Sequence, residues 1–203
     1  DPWVYSRIKK KINYKKREQE LLRLLDKHRG KYGKYDCIVP VSGAYDSYFI
    51  MHVVTNILGL KPLMVTYNKY YNTPLGIRNL AKLRTTFNCD LLIQNVNPVS
   101  VKRITSETLR RFGSVYWHCI AGQTVFPVQT AVRYKIPLII WGAHQGIEQV
   151  GMFSHLHNAE MTRRYRKDHD LFGVEPDDFV GFFDDLNSEE MLNYRYPAFS
   201  DIE

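Results

Sequence analysis

Six consecutive residues, Ser42-Gly43-Ala44-Tyr45-Asp46-Ser47, combine hydroxyls, a glycine and a carboxylate in one short stretch. They follow an apolar run, Tyr35–Val41, and lead into another, Asp46–Leu58, so they read as the turn between a strand and a helix. Such a turn presents backbone N–H groups that no helical carbonyl satisfies, and the helix dipole adds positive potential. Both favour an oxyanion, phosphate above all. Ser42 and Ser47 can donate to phosphate oxygens, and Gly43 lets the backbone approach closely. Asp46 either caps the helix or holds Mg2+ against the phosphates. An ordinary Asp/Ser cap after a glycine turn has the same letters, so the loop alone leaves both readings open. Neither G-x-x-x-x-G-K-[ST] nor G-x-G-x-x-G occurs.

The elements around this loop alternate regularly. Pro62–Tyr67, Asp90–Gln94 and Pro137–Trp141 continue the strand series begun by Tyr35–Val41. Between them, Asp46–Leu58, Pro74–Phe87, Val99–Phe112 and Gln123–Tyr134 read as helices, the last despite Pro127. Apolar strands alternating with helices predict a parallel sheet covered on both faces. Right-handed crossovers then favour an α/β fold with an open, doubly wound sheet, and a closed barrel of eight such units would need more chain. Residues 1–34 are predicted as a basic N-terminal helix, 35–150 as the nucleotide-binding α/β domain, and 151–203 as a helical extension with an acidic tail. Within the first, Leu21, Leu22, Leu24 and Leu25 form the apolar side. In the last, a basic helix is expected near His155–His169 and a short one around Ser188–Tyr194.

Ligands of open parallel sheets bind beyond the carboxyl ends of the strands. That rule singles out Ser42–Ser47, then Asn68–Thr73, Asn95–Asn97 and Gly142–Glu148. At these positions the chain resembles a known family. Ser42–Ser47 looks like the S-G-G-x-D-S pyrophosphate loop of the PP-loop ATP pyrophosphatases. IVPVSG at Ile38–Gly43, TPLGIRNL at Thr73–Leu80 and IPLIIWG at Ile136–Gly142 resemble the N-acetyl sugar amidotransferases of bacterial surface-polysaccharide (lipopolysaccharide O-antigen) biosynthesis. The resemblance runs from Tyr35 to Asp178.

It implies a PP-loop, Rossmann-like fold and an ATP- and Mg2+-dependent reaction. The acetamido oxygen of a nucleotide-linked sugar would be adenylylated, and ammonia from a separate glutaminase subunit would displace AMP. Carried onto this chain, Ser42, Gly43, Ala44, Tyr45, Asp46 and Ser47 would cradle pyrophosphate. Thr66, Tyr67 and Asn68 would contact adenine or ribose, and Gly142 would border the nucleotide. Arg78 and Asn79 would reach a phosphate or the sugar. Trp141, His144 and Glu148 would line the acceptor side, with Asp46 and Glu148 catalytic. The blander alternatives are a solvated helix charge for Arg78, a core position for Trp141 and a helix cap for Glu148. Ala44 stands where the motif has its second glycine, and Tyr45 where related loops often carry Lys. Alanine fits without cost only where φ is negative.

Composition bounds the partners. The chain has 203 residues, 28 Lys+Arg against 21 Asp+Glu, and a net charge of +7. Residues 1–34 carry +8, 35–167 carry +9 and 168–203 carry −10, an opposed distribution that argues against a generic polyanion binder such as nucleic acid. The basic first helix is left as a solvated face, a partner site or a membrane-surface contact. Cys37, Cys89 and Cys119 are odd in number and far apart, which argues against a disulfide scaffold and for a reducing cytoplasm. His144, His155 and His157 with Glu148 are weighed as metal ligands and set aside, leaving no metal site assigned beyond phosphate-bound Mg2+. His118-Cys119, bracketed by Trp117 and Gly122, reads as a loop. With Cys89, Cys119 supports an alternative, a PP-loop enzyme that thiolates tRNA. A degenerate PP-loop protein that only binds nucleotide is the other alternative.

Overall fold

Strand β1 (Cys37–Pro40) is hydrogen-bonded along both edges in the computed structural model, which describes residues 12–143, 162–179 and 188–202. On one side it pairs in parallel with β2 (Pro62–Tyr67), Ile38 opposite Leu63. β2 pairs in parallel with β3 (Leu91–Gln94), Met64 opposite Leu91. On the other edge, the Ile38 N–H donates to Leu138 O and Ile38 O accepts from Ile140 N–H, both at 2.9 Å. This is a single parallel bridge at Ile139, where the sequence predicts a whole strand over Pro137–Trp141. Pro40 explains the difference. The next bond on that edge needs an N–H at position 40, which proline lacks.

Helices cover both faces. α1 is Tyr14–His28, and α2 is Tyr45–His52, continued by a π-helical turn Val53–Ile57 that ends at Gly59 with φ 63°. α3 is Pro74–Phe87, α4 Pro98–Phe112 and α5 Trp117–Tyr134. α3 and α4 start as their sequences demand. Thr73 Oγ1 accepts from Gly76 N at 3.1 Å, Asn97 Oδ1 from Val99 N at 2.9 Å, and each cap precedes a proline in the first turn. Strand alternation sorts the core. Cys37, Val39 and Val41 pack with Leu25, Met51, Val54 and Leu83 from α1, α2 and α3. Ile38, Leu63 and Val65 face Phe126 and Ala131 of α5. Of the four leucines expected to form the apolar side of α1, only Leu25 is buried. Arg29 then ties the end of α1 to that of α2, donating to Leu58 O at 2.8 Å and Gly59 O at 3.0 Å.

A third cluster joins the C-terminal pieces to the sheet. α6 (Arg163–Tyr165) runs on as a π-helical turn Arg166–Asp170, followed by a 3-10 turn Pro176–Asp178. α7 (Ser188–Met191) passes into a 3-10 turn Leu192–Tyr194, and α8 is Phe199–Ile202. Leu171, Phe179, Met191 and Tyr194 pack with Tyr67, Ile104, Trp117 and Ala121. The Trp117 and Phe179 rings lie 4.7 Å apart, a close tilted pair.

α5 begins six residues before the helix the sequence predicts, and this reverses one expectation. His118 and Cys119 lie in its first turn, with His118 0% exposed, instead of in an exposed loop. Gly122, which reads as a loop residue, is required by packing, because a Cβ there would stand 2.5 Å from the Tyr67 ring. Tyr67 OH lies 2.8 Å from Tyr194 OH and 3.2 Å from His118 Nδ1. Burial pulls the His118 pKa down to about 4.

Two outcomes are expected. Gly122→Ala lowers stability by about 1–3 kcal/mol in urea unfolding, through overpacking against Tyr67; an unchanged midpoint would show that the ring yields freely. His118 takes up its proton at about pH 6.5 when unfolded and at about 4 when folded, so the unfolded state binds more protons between those values. Stability therefore falls as pH drops from about 6.5 towards 4, by up to about 3 kcal/mol from this group. Urea curves at a series of pH values should show that slope flattened in His118→Gln.

Candidate functional site

The turn after β1 is held by its own serines. Ser47 is buried, and its Oγ accepts from Ser42 N at 2.9 Å and lies 3.3 Å from Ser42 Oγ. Ser47 N donates back to Ala44 O at 3.1 Å. Gly43 has φ +77°, and a Cβ there would lie 3.1 Å from Leu80 N and 3.3 Å from Leu80 Cα, so glycine is required by conformation and by the close approach of α3. Ala44 sits at φ −77°, ψ 173°, ordinary extended backbone where alanine costs nothing. Tyr45 is 87% exposed. With Ser47 N–H taken up by Ala44 O, the N–H groups of Tyr45 and Asp46 at the start of α2 are the ones without an intrahelical acceptor, and Asp46 is the acidic residue of that turn.

This turn opens into a cavity of about 950 Å³ between the two helix layers at the carboxyl edge of the sheet. Of the residues singled out in the sequence, Ser42, Asp46, Ser47, Thr66, Tyr67, Asn68, Trp141 and Gly142 line it. Gly43, Ala44 and Tyr45 shape the turn from behind. Arg78 is exposed and does not line the cavity, and Asn79 offers its backbone carbonyl to Tyr48 OH at 2.8 Å. His144 and Glu148, like His155 and His157, lie outside the described residues.

Among the described residues, the cavity's cations are Lys69, Arg84 and Arg166; Lys69 falls in the Asn68–Thr73 stretch that the strand-end rule singles out, and the two arginines fall in none. Helical periodicity explains why α3 contributes Arg84. Gly76, Ile77, Leu80, Ala81 and Arg84 share one face of that helix, and Arg78 points off it. The spacing from Leu80 to Arg84 carried that signal. Arg166 carried none, since nothing local links it to Trp141. Its guanidinium carbon lies 3.5 Å from the Trp141 ring centroid, a close cation–π stack. Burial works against the Arg166 charge, and Tyr196 and Asp170 favour it.

Amide groups gather at the ends of β2 and β3. Asn68 Nδ2 donates to Asn95 Oδ1, and Asn72 Nδ2 donates to Asn68 Oδ1, both at 2.7 Å. Across the cavity, Pro127 lies inside the continuous helix α5, where it has no N–H to offer the carbonyl of Gln123, and both residues line the wall. The cysteines are free thiols. Burial pushes Cys119 up to about 11 and Cys37 to about 12. Among the described residues, no group of three or more His, Cys, Asp or Glu is placed to hold a metal ion, and no helix is long and apolar enough to cross a membrane.

No family model and no curated protein matches the chain. Among solved structures it is similar to NMN synthetase from Francisella tularensis, with a TM-score of 0.51 and 13% identity over 80% of this chain and 70% of that one. It is also similar to the NH3-dependent NAD synthetase from Campylobacter jejuni subsp. jejuni NCTC 11168 in complex with the nitrate ion. There the TM-score is 0.49, with 10% identity over 70% of this chain and 62% of that one. With the topology above, the fold is an open, doubly wound, parallel α/β fold, Rossmann-like as in that NMN synthetase.

Gly43→Ala is expected to cost about 1–2 kcal/mol from the left-handed backbone alone, with more from the contact at Leu80. Ala44→Gly, although it restores the motif's letter, should lower stability by about 0.5–1 kcal/mol, because the native φ already suits alanine. Thermal unfolding of the two variants checks both signs, and a stabilising Ala44→Gly would contradict the turn geometry described here.

Proposed function

We propose that the chain is an ATP-dependent amidotransferase that adenylylates the acetamido group of a nucleotide-linked sugar and replaces its oxygen with ammonia from a glutaminase partner. The observation that carries this reading is the Ser42–Ser47 turn opening directly into a cavity of about 950 Å³. Pockets of this size take a nucleotide and leave room beside it. The N–H groups of the turn, with the dipole of α2, suit the β and γ phosphates. Thr66, Asn68 and Asn95 offer polar groups to adenine and ribose at the ends of β2 and β3. Asp46 supplies one carboxylate at the phosphate end, which fits Mg2+, an ion usually held by one or two carboxylates plus phosphate oxygens. Bound there, it would neutralise charge on the leaving pyrophosphate.

The chemistry needs such a site because an amide carbonyl is a poor electrophile. Its oxygen attacks the α-phosphorus, the new P–O bond forms and pyrophosphate departs. Ammonia then adds to the carbon, the C–O bond breaks, AMP leaves and the nitrogen gives up a proton, for which Glu148 is the expected acceptor. Stabilising the two leaving groups is a matter of positioned donors and charge. Thiolation of tRNA is the weaker reading, since Cys119 is buried and its thiol is held protonated at neutral pH. Loss of function through Ala44 is weaker too, because the turn keeps its shape with alanine there.

With ATP, Mg2+, ammonia and a panel of nucleotide-linked acetamido sugars, AMP and pyrophosphate should appear in equal amounts with a product in which NH replaces O. Asp46→Asn and Ser47→Ala should each lower kcat by roughly 100-fold. If ATP binds and no member of the panel yields AMP, the proposal fails.

A further inference from the structure

Arg166 is 3% exposed, lies in the π-helical turn Arg166–Asp170 and lines the same cavity as the Ser42–Ser47 turn. One face of its guanidinium is covered by Trp141 at 3.5 Å. Tyr196 and Asp170 stand near enough to support its charge, and its buried Nη2, like Tyr196 Oη beside it, has no hydrogen-bond partner. A buried guanidinium with an unsatisfied nitrogen is costly, and native proteins seldom leave one idle. The indole holds the planar fork in place before any ligand arrives, so a bound oxyanion would meet a donor already ordered.

The position fits a second ligand better than ATP. Trp141 follows the segment bridged to β1 on the edge away from β2, whereas Thr66 and Asn68 end β2. Arg166 is thus tied to the side of the Ser42–Ser47 turn remote from the expected adenine site. Two phosphate-bearing ligands in one cavity repel each other unless each meets its own positive charge. The turn's N–H groups serve one of them.

We propose that Arg166, held flat against Trp141, anchors an oxyanion of the acceptor substrate, namely the diphosphate of a nucleotide-linked sugar bound beside ATP. This rests on the amidotransferase reading above for the identity of the acceptor, and it makes Arg166 a determinant of which acceptors are used.

The probe is UDP, titrated by calorimetry into protein already saturated with Mg2+ and α,β-methylene-ATP. Wild type should bind UDP, and Arg166→Met should bind it roughly 10- to 100-fold more weakly with unchanged affinity for the ATP analogue. Arg166→Lys should recover only part, since an ammonium neither forks nor stacks as a guanidinium does. Circular dichroism screens the variants for folding. If Arg166→Met does not fold, Arg166→Lys and Trp141→Phe take its place, each expected to weaken UDP binding selectively. Several results would overturn the anchor: no UDP binding by wild type, UDP affinities equal within twofold, or a loss that falls on the ATP analogue. Succinate bound in place of UDP with the same dependence on Arg166 would reassign the anchor to a carboxylate and overturn the diphosphate. UDP has no acetamido group and is not turned over, so this titration tests the anchor alone. AMP formation with an acetamido sugar tests the reaction alone, and either can fail while the other stands.

Discussion

The pairing of β1 along both edges is the constraint on which the rest of the carboxyl-edge architecture depends. Ile38 is bonded to Leu138 and Ile140 on one side, while β1 runs in register with β2 on the other. This central strand delivers Ser42 to the point where the sheet's connections diverge, the place at which open α/β sheets leave a crevice. Pro40 ends the outer ladder just before that point. Val41 still donates to Val65 O at 2.9 Å, so the chain leaves the sheet one residue ahead of Ser42. The turn's shape then depends on contacts made at once: the serine pair within it, and the backbone of Leu80 pressed against Gly43.

The sheet and the helices beside it were legible because their signals are local. Pro62–Tyr67 and Pro74–Phe87 are found at the bounds their sequences imply, since prolines, Thr73 and the apolar run mark their starts and ends within a few residues. The first turns of α5 were not legible for the opposite reason. Gly122 and Pro127 are helix breakers by propensity, and what overrides propensity there is the Tyr67 ring, fifty-five positions earlier in the chain. The same holds for the bridge at Ile139. A run such as PLIIW carries every mark of a strand, but its ladder depends on whether the neighbouring strand can supply N–H groups, and Pro40 belongs to a distant part of the sequence.

The candidate site divides along the same line. Ser42, Asp46 and Ser47 are neighbours in sequence and could be read together. The resemblance gives Arg78 a phosphate or sugar contact from its place in a motif, and helix phase instead brings the exposed Arg84 to the cavity's lining. Lys69 and Arg166 come from a loop and from the C-terminal helices, and only the third core cluster, built on Tyr67, Trp117 and Tyr194, places the latter. Charge was informative once it was divided by position. Part of the +9 carried by residues 35–167 is spent inside the cavity, where Lys69, Arg84 and Arg166 offset the charge that phosphates would bring.

Pro127 shows how a departure from regular structure serves such a cavity. A proline inside a helix removes the bond to the carbonyl four residues earlier, at a cost of about 3 kcal/mol in an ordinary helix. Here that carbonyl belongs to Gln123, and both residues form the cavity wall. The same cavity is supplied with donors by Arg166 and Lys69. A nucleotide alone would satisfy the phosphate side through the Ser42–Ser47 turn and would leave Arg166 Nη2 without use. An acceptor that brings its own diphosphate, as the proposed function requires, would give that nitrogen a partner.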